Sequence, residues 1–350
     1  TLARDLSEFI HKVLNQGYSF SHEGEKYTIR ADPQEGSPAD LSVLMSSPLE
    51  LSSSGKPRLP LLLRKNLQKY DLNVFNPRGS DLERAWQTAL LCGLIMECID
   101  PQCQVQDTIE KLPSQAKHNF AVWRNKAREY WEEDPEPVKP LSLKRFVDAW
   151  QNRTPIGRSK WKSNVPLIEL TYQLVTWIPH LKNDVESLVY LEAVTRTMSQ
   201  TGIFNNFGGE ILHYDDEELN QASVREAIWN ILVPLATGAI EVDEGLLETL
   251  PDDRINIMSI HQAKGLEFPL VILDVGSDFS KNYPAQEFKR FPREGGKPCN
   301  MEDELRTCSP LEEPDRSPRD RAFDDLIRQY FVAFSRPQDV LLLVGLESVK

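Results

Sequence analysis

Two short apolar runs near the end of this 350-residue chain set the tightest limit on its fold. They are Ile255-Asn256-Ile257-Met258-Ser259-Ile260 and Pro269-Leu270-Val271-Ile272-Leu273-Asp274-Val275. Each has the length and β-branched content of a buried strand. The stretch between them contains Gly265 and reads as a tight turn. That turn is expected to deliver His261, Lys264 and Glu267 to one rim of a sheet, where ligands of open α/β sheets bind. A helix is predicted over 322–335, and a final strand over Val340-Leu341-Leu342-Leu343-Val344.

The start of the chain has the same character. Leu2, Leu6, Phe9, Ile10, Val13 and Leu14 recur at helical spacing. Asp40-Leu41-Ser42-Val43-Leu44-Met45 reads as a short buried strand, 59–70 as a helix and 72–75 as a strand. The turn Asn76-Pro77-Arg78-Gly79 ends that run. Strand–helix–strand alternation is the mark of a parallel α/β sheet.

Between these two parts the pattern is helical: 81–98, 115–132, 141–150, 165–178, 182–199 and 218–236. All seven tryptophans fall there: Trp86, Trp123, Trp131, Trp150, Trp161, Trp177 and Trp229. The expected organisation is one α/β domain, 1–80 and 251–350, interrupted over 81–250 by an all-helical domain with its own aromatic core. Polar stretches at 48–58 and 277–320 read as loops.

Acidic residues exceed basic ones, 53 to 40, for a net charge of −13. This argues against a basic nucleic-acid coat protein but not against one local binding groove. The five cysteines, Cys92, Cys98, Cys103, Cys299 and Cys308, include no CxxC pair. A reducing cytoplasm fits, no metal site is expected, and Cys92 reads as part of a buried helix face. No run is apolar enough to cross a membrane. Asp215-Asp216-Glu217-Glu218 is expected to cap a helix start rather than to bind metal.

Three segments carry a resemblance. Ser259-Ile260-His261-Gln262-Ala263-Lys264-Gly265-Leu266-Glu267-Phe268 resembles motif V of the UvrD/Rep/PcrA helicases, Thr/Ser-x-His-x-x-Lys-Gly-Leu-Glu-Phe/Trp, at each fixed position. Arg328-Gln329-Tyr330-Phe331-Val332-Ala333-Phe334-Ser335-Arg336 resembles motif VI of the same family. Asp40 to Ser47 is similar to motif IV along its strand, but Met45 stands where an adenine-stacking aromatic is expected and Ser46 where a phosphate-binding arginine is expected. Arg58 and Arg64 are candidates to compensate.

The resemblance implies a RecA-like (P-loop NTPase-type) domain, the second half of a superfamily-one, 3′-to-5′ DNA helicase using ATP with Mg²⁺. It implies Arg336 as an arginine finger on the γ-phosphate. It places Glu267, with Gly265 and Lys264, on the nucleotide side, and Ser259 and His261 on the DNA side. Single-stranded and duplex DNA are the implied partners, in repair or recombination. A second candidate DNA contact is a basic-aromatic patch, Arg153, Arg158, Lys160, Trp161 and Lys162, with a base stacking on Trp161. Its alternative is that Trp161 joins the helical core.

No Gly-x-x-x-x-Gly-Lys-Ser/Thr loop and no Asp-Glu pair for Mg²⁺ is found. These belong to a first RecA-like domain of the same protein, so this stretch alone is expected to be inactive. A subunit of an AddA/RecB-like helicase–nuclease or anti-phage system, and a non-catalytic interaction module, are the rival readings.

Overall fold

The computed structural model describes residues 2–52, 54–133, 141–157, 161–203, 205–242, 250–275, 308 and 318–345. Two compact units emerge: Thr1–Ser52, Lys56–Asn76 and Leu250–Lys350 form one; Ser53–Gly55 and Pro77–Thr249 form the other.

The first unit begins with α1 (Leu2–Asn15), which buries Ala3, Leu6, Ile10 and Val13. A hairpin that the apolar pattern does not signal follows, β1 (Tyr18–His22) and β2 (Glu25–Ile29). Its two-residue loop, Glu23-Gly24, has positive φ at both positions (50° and 87°), the geometry that matches strand twist. Asparagine or aspartate is the usual signal there, and Glu23 gives none. Phe20 stacks on its cross-strand partner Tyr27, and Tyr18 anchors the hairpin edge-on against Phe9. The chain continues through β3 (Leu41–Met45), α2 (Leu59–Leu67) and the short β4 (Asn73–Phe75).

The second unit is built on α3 (Trp86–Ile99), in which every residue from Gln87 to Ile99 is buried. A helix apolar on all sides belongs at the centre of a domain. Around it lie α4 (Ser114–Glu132), α5 (Leu143–Gln151), α6 (Leu167–Val175), α7 (Val185–Gly202) and α8 (Glu217–Ala227). Asp216 caps α8, accepting from the Leu219 amide at 3.1 Å, as the acidic run suggested. Cys92 and Cys98 are buried, and burial pushes their thiols far up. The unit is not all-helical. A ribbon of three-residue strands, β5 (Asn164–Pro166) and β6 (Glu210–Leu212), pairs antiparallel within it. Strands this short carry too little periodicity to read. The aromatic core is also smaller than expected: Trp123 and Trp150 are fully buried, whereas Trp86 and Trp229 are 38% and 41% exposed.

The chain returns to the α/β unit with β7 (Arg254–Ser259), β8 (Phe268–Asp274), α9 (Pro318–Phe334) and β9 (Pro337–Val344). The sheet order is β4-β7-β3-β8-β9, and each neighbouring pair is parallel. Leu41, Val43, Met45, Ile255 and Ile257 face α1 and α2. Leu44, Met258, Val271 and Leu273 face Tyr330 and Ala333 of α9. Most of the expected loop 277–320 lies outside the described residues. Among the described residues no helix is long and apolar enough to cross a membrane.

Two contacts hold the helical core. Glu97, 3% exposed at its side chain, accepts from Arg124 at 3.1 Å and Arg128 at 2.9 Å. At Gly93 the helices meet backbone to backbone: an added Cβ would lie 2.0 Å from the Trp123 carbonyl oxygen. Gly93→Ala is therefore expected to cost about 3 kcal/mol, the upper end for forcing a methyl into a packed contact. Urea unfolding followed by tryptophan fluorescence checks this, and an unchanged midpoint would refute the tight crossing.

Candidate functional site

In a parallel sheet all strands start at one rim and end at the other. β7 and β8 both run parallel to β3, which lies between them. Residues 260–267 therefore do not turn back at one rim. They cross the sheet face from the carboxyl rim, where β7 ends, to the amino rim, where β8 begins. This corrects the expectation that His261, Lys264 and Glu267 share a rim: His261 stays near the carboxyl rim, Glu267 reaches the amino rim, and Lys264 and Gly265 lie on the crossover. Apolar run length cannot distinguish a turn from a crossover.

Local chemistry makes the crossing. Ser259 Oγ accepts from the Gln262 amide at 3.2 Å, and Gln262 Oε1 accepts from the Ser259 amide at 2.5 Å. This reciprocal pair is a capping box. The Ser-x-x-Gln spacing that makes it is present in the sequence. Helical turns continue from Ala263 N–H to Ser259 O and from Lys264 N–H to His261 O. Ile260 and Ala263 bury against the sheet, with Leu266 partly buried beside them. Gly265, at φ +90°, redirects the chain in a conformation that costs other residues energy.

At the amino rim, Arg336 joins the crossover to α9. Its Nη1 donates to Leu266 O at 2.9 Å, its Nε to Val332 O at 3.1 Å and its Nη2 to Ser335 Oγ at 2.9 Å. The Phe268 amide donates to Arg336 O at 3.0 Å. Glu267 is exposed beside it and accepts from Gln338 at 3.4 Å. The fork of Arg336 is thus held by its own domain, with three of its five N–H donors engaged. Lys264 is exposed.

At the carboxyl rim, Ser259 is 8% exposed, and His261 is exposed with Nδ1 3.4 Å from Gln329 Nε2 of α9. Met45 ends β3 at this rim, level with Ser259, and is buried under α1 and α2. It offers no open face to a ring. Arg64 is committed to Glu50 at 2.6 Å and to the Val74 carbonyl. Arg58 instead reaches Ser47 Oγ at 3.0 Å. Gln262, Gln329, Gln338 and this placement of Arg58 were not singled out from sequence, because only tertiary pairing gives them partners.

In the helical unit, Trp161 packs edge-on against Trp150 and Phe146 and donates its indole N–H to Thr154 O at 2.7 Å. The Arg153 guanidinium lies 5.0 Å from both the Trp150 and Trp161 ring centroids. Lys162 pairs with Glu169 at 3.0 Å. Lys160 and Arg158 lie outside the described residues. His213 is edge-on to Trp150, and burial, aided by the Arg153 charge, pushes its pKa down to about 4.

Residues 204–347 match the family model described as the UvrD-like helicase C-terminal domain. The match takes in β7, the crossover, β8, α9 and β9, and with them Ser259–Phe268 and Arg328–Arg336. Over these residues the chain is similar to the C-terminal part of UvrD-like helicases, and they lie on an α/β sheet of the kind that the sequence motifs implied. A search of the curated proteins finds no match to the chain.

The His213 shift has a definite consequence. Above pH 6.5 the imidazole is neutral in both folded and unfolded chains. Between 6.5 and about 4 the unfolded chain takes up a proton that the folded unit refuses. Acidification through that window is therefore expected to destabilise the helical unit. The unfolding midpoint should fall less in His213→Gln than in the parent, and equal slopes would remove His213 as the cause.

Proposed function

We propose that this chain is the second RecA-like half of an ATP-dependent DNA helicase, with the helical unit as an accessory domain inserted into it. A first RecA-like half of the same protein binds ATP and Mg²⁺. Arg336 supplies positive charge to the γ-phosphate, and Glu267 the contact to the sugar, with Lys264 and Gly265 beside it. Ser259 and His261 face the DNA strand; Trp161, Lys160 and Lys162 are a second candidate contact on the helical unit. By family resemblance the motor moves 3′ to 5′ on single-stranded DNA, opens duplex DNA, and works in repair or recombination in the cytoplasm.

The observation that carries the reading is the division of one motif between two rims. Glu267 and Arg336 sit together at the amino rim, His261 sits at the carboxyl rim, and five residues, Gln262 to Leu266, join His261 to Glu267. A pull on the Leu266 carbonyl at one rim is transmitted along a short, hydrogen-bonded segment to the other. Arg336 must release Leu266 O to extend toward a phosphate. A phosphate is the stronger acceptor, because both partners are then charged. The planar fork suits the charge spread over a transferring phosphoryl group.

The burial of Met45 and the engagement of Arg336 within its own domain favour a second reading, a helicase-shaped interaction module without catalysis. A helicase–nuclease subunit would use the same chemistry in another assembly. DNA-stimulated ATPase of the full-length protein separates these readings. Arg336→Ala is expected to lower its rate by about three to five orders of magnitude. Full activity in that variant removes the finger assignment, and no ATPase in the parent protein establishes the module.

A further inference from the structure

We infer that β9 pairs with the β9 of a second copy of this chain, antiparallel across a two-fold axis at Leu342, joining two sheets into one. This goes beyond the helicase reading and does not depend on it.

The composition of β9 does not suit its position. The sheet order ends β8-β9, and among the described residues no strand lies beyond it. Edge strands are ordinarily blunted by charge or proline. Val340-Leu341-Leu342-Leu343-Val344 has neither, and a continuous apolar run is the mark of a strand covered on both faces. Val340, Leu342 and Val344 pack on the α1 and α2 side. Leu341 and Leu343 point to the α9 side and are exposed. The backbone divides in the same way. The Val275 amide donates to Val344 O at 2.8 Å, so Val344 and, by alternation, Leu342 turn their backbone groups to β8. Leu341 and Leu343 turn theirs to the open edge.

α9 extends the apolar surface. Tyr330 and Ala333 face the sheet. In the right-handed crossover that parallel strands adopt, β9 lies beneath the helix flank reached one residue later. Phe331 and Phe334 occupy that flank, 72% and 46% exposed. At about 200 Å² per phenyl side chain, roughly 240 Å² of aromatic surface per copy stands beside the exposed leucines. With the leucines and the strand edge added, this falls at the low end of specific interfaces, which fits a concentration-dependent dimer.

The occupant follows from the sequence. None of the stretches of this chain outside the described residues contains an apolar run of strand length. A second copy brings one, β9 itself. The run reads the same in both directions, so a two-fold axis sets Val340 opposite Val344, Leu341 opposite Leu343 and Leu342 opposite itself. Leu341 and Leu343 then exchange both backbone hydrogen bonds, and Leu342 falls in the close, non-hydrogen-bonded pair. Phe331 and Phe334 of both copies close over the leucines on one face.

Sedimentation velocity of the full-length protein over a range of concentrations tests this. The parent should shift from monomer to dimer as concentration rises. Leu343→Pro removes an outward N–H and leaves the bonds to β8. The axis doubles the loss, so association should weaken by about tenfold or more. Its thermal unfolding midpoint should stay at the parent value. Leu342→Cys should give a disulfide-linked dimer on mild oxidation, because facing residues of a close pair have the right separation. The parent, with its native cysteines, should not. A parent that stays monomeric overturns the proposal. So does a folded Leu343→Pro variant that dimerises like the parent. If the proline variant unfolds, the cross-link decides: a Leu342→Cys dimer that does not cross-link places the contact elsewhere and overturns the pairing.

Discussion

The α/β unit depends on one geometric constraint, that neighbouring parallel strands cannot be joined at one rim. β7 and β8 flank β3 in the same direction, so the chain between them must cross the whole sheet. Such crossovers usually take a dozen or more residues and a full helix. Here eight suffice, because the Ser259–Gln262 capping box starts a helical turn at once and Gly265 redirects the chain before β8. The same constraint separates His261 from Glu267. One short motif thereby acquires two ends with different chemistry.

The packing around the crossover follows from that path. Ile260, Ala263 and Leu266 turn toward the sheet and share a cluster with Tyr330 and Ala333 of α9. α9 runs beside the crossover and touches it near both ends, through Gln329 to His261 and through the segment bearing Arg336 to Leu266 O. The helical unit is held differently. Its central helix has no polar face, so its fit relies on a glycine contact at Gly93 and on the buried charges of Glu97 and Arg124. Breaking a buried pair is costly because the remaining charge has no water.

The sequence was most legible where burial and periodicity coincide. β3, β7 and β8 are apolar enough to read directly, and α1 carries a clear apolar stripe. The hairpin at Tyr18–Ile29 was invisible because its residues are mostly exposed and its turn uses Glu23-Gly24. The β5–β6 ribbon was invisible because three residues show no period. Residue type alone points Trp86 and Trp229 to the core, but partial exposure of a large amphipathic ring is ordinary. Within the candidate site, Ser259, His261, Glu267 and Arg336 were legible as motif positions. Their partners Gln262, Gln329 and Gln338 were not, since glutamine has no fixed role until a neighbour supplies one.

The sequence by itself determined the kind of sheet, the motif resemblance of its last strands and the residues that carry charge to its rims. These follow from local pattern: apolar runs, glycine at a bend, and polar residues held at fixed spacing. Tertiary structure alone decided which rim each residue occupies. It put Glu267 with Arg336, left Ser46 at the rim where His261 leaves the sheet, and closed Met45 into the core. The physical reason is that strand direction and order are set by long-range pairing, which no local run of residues records.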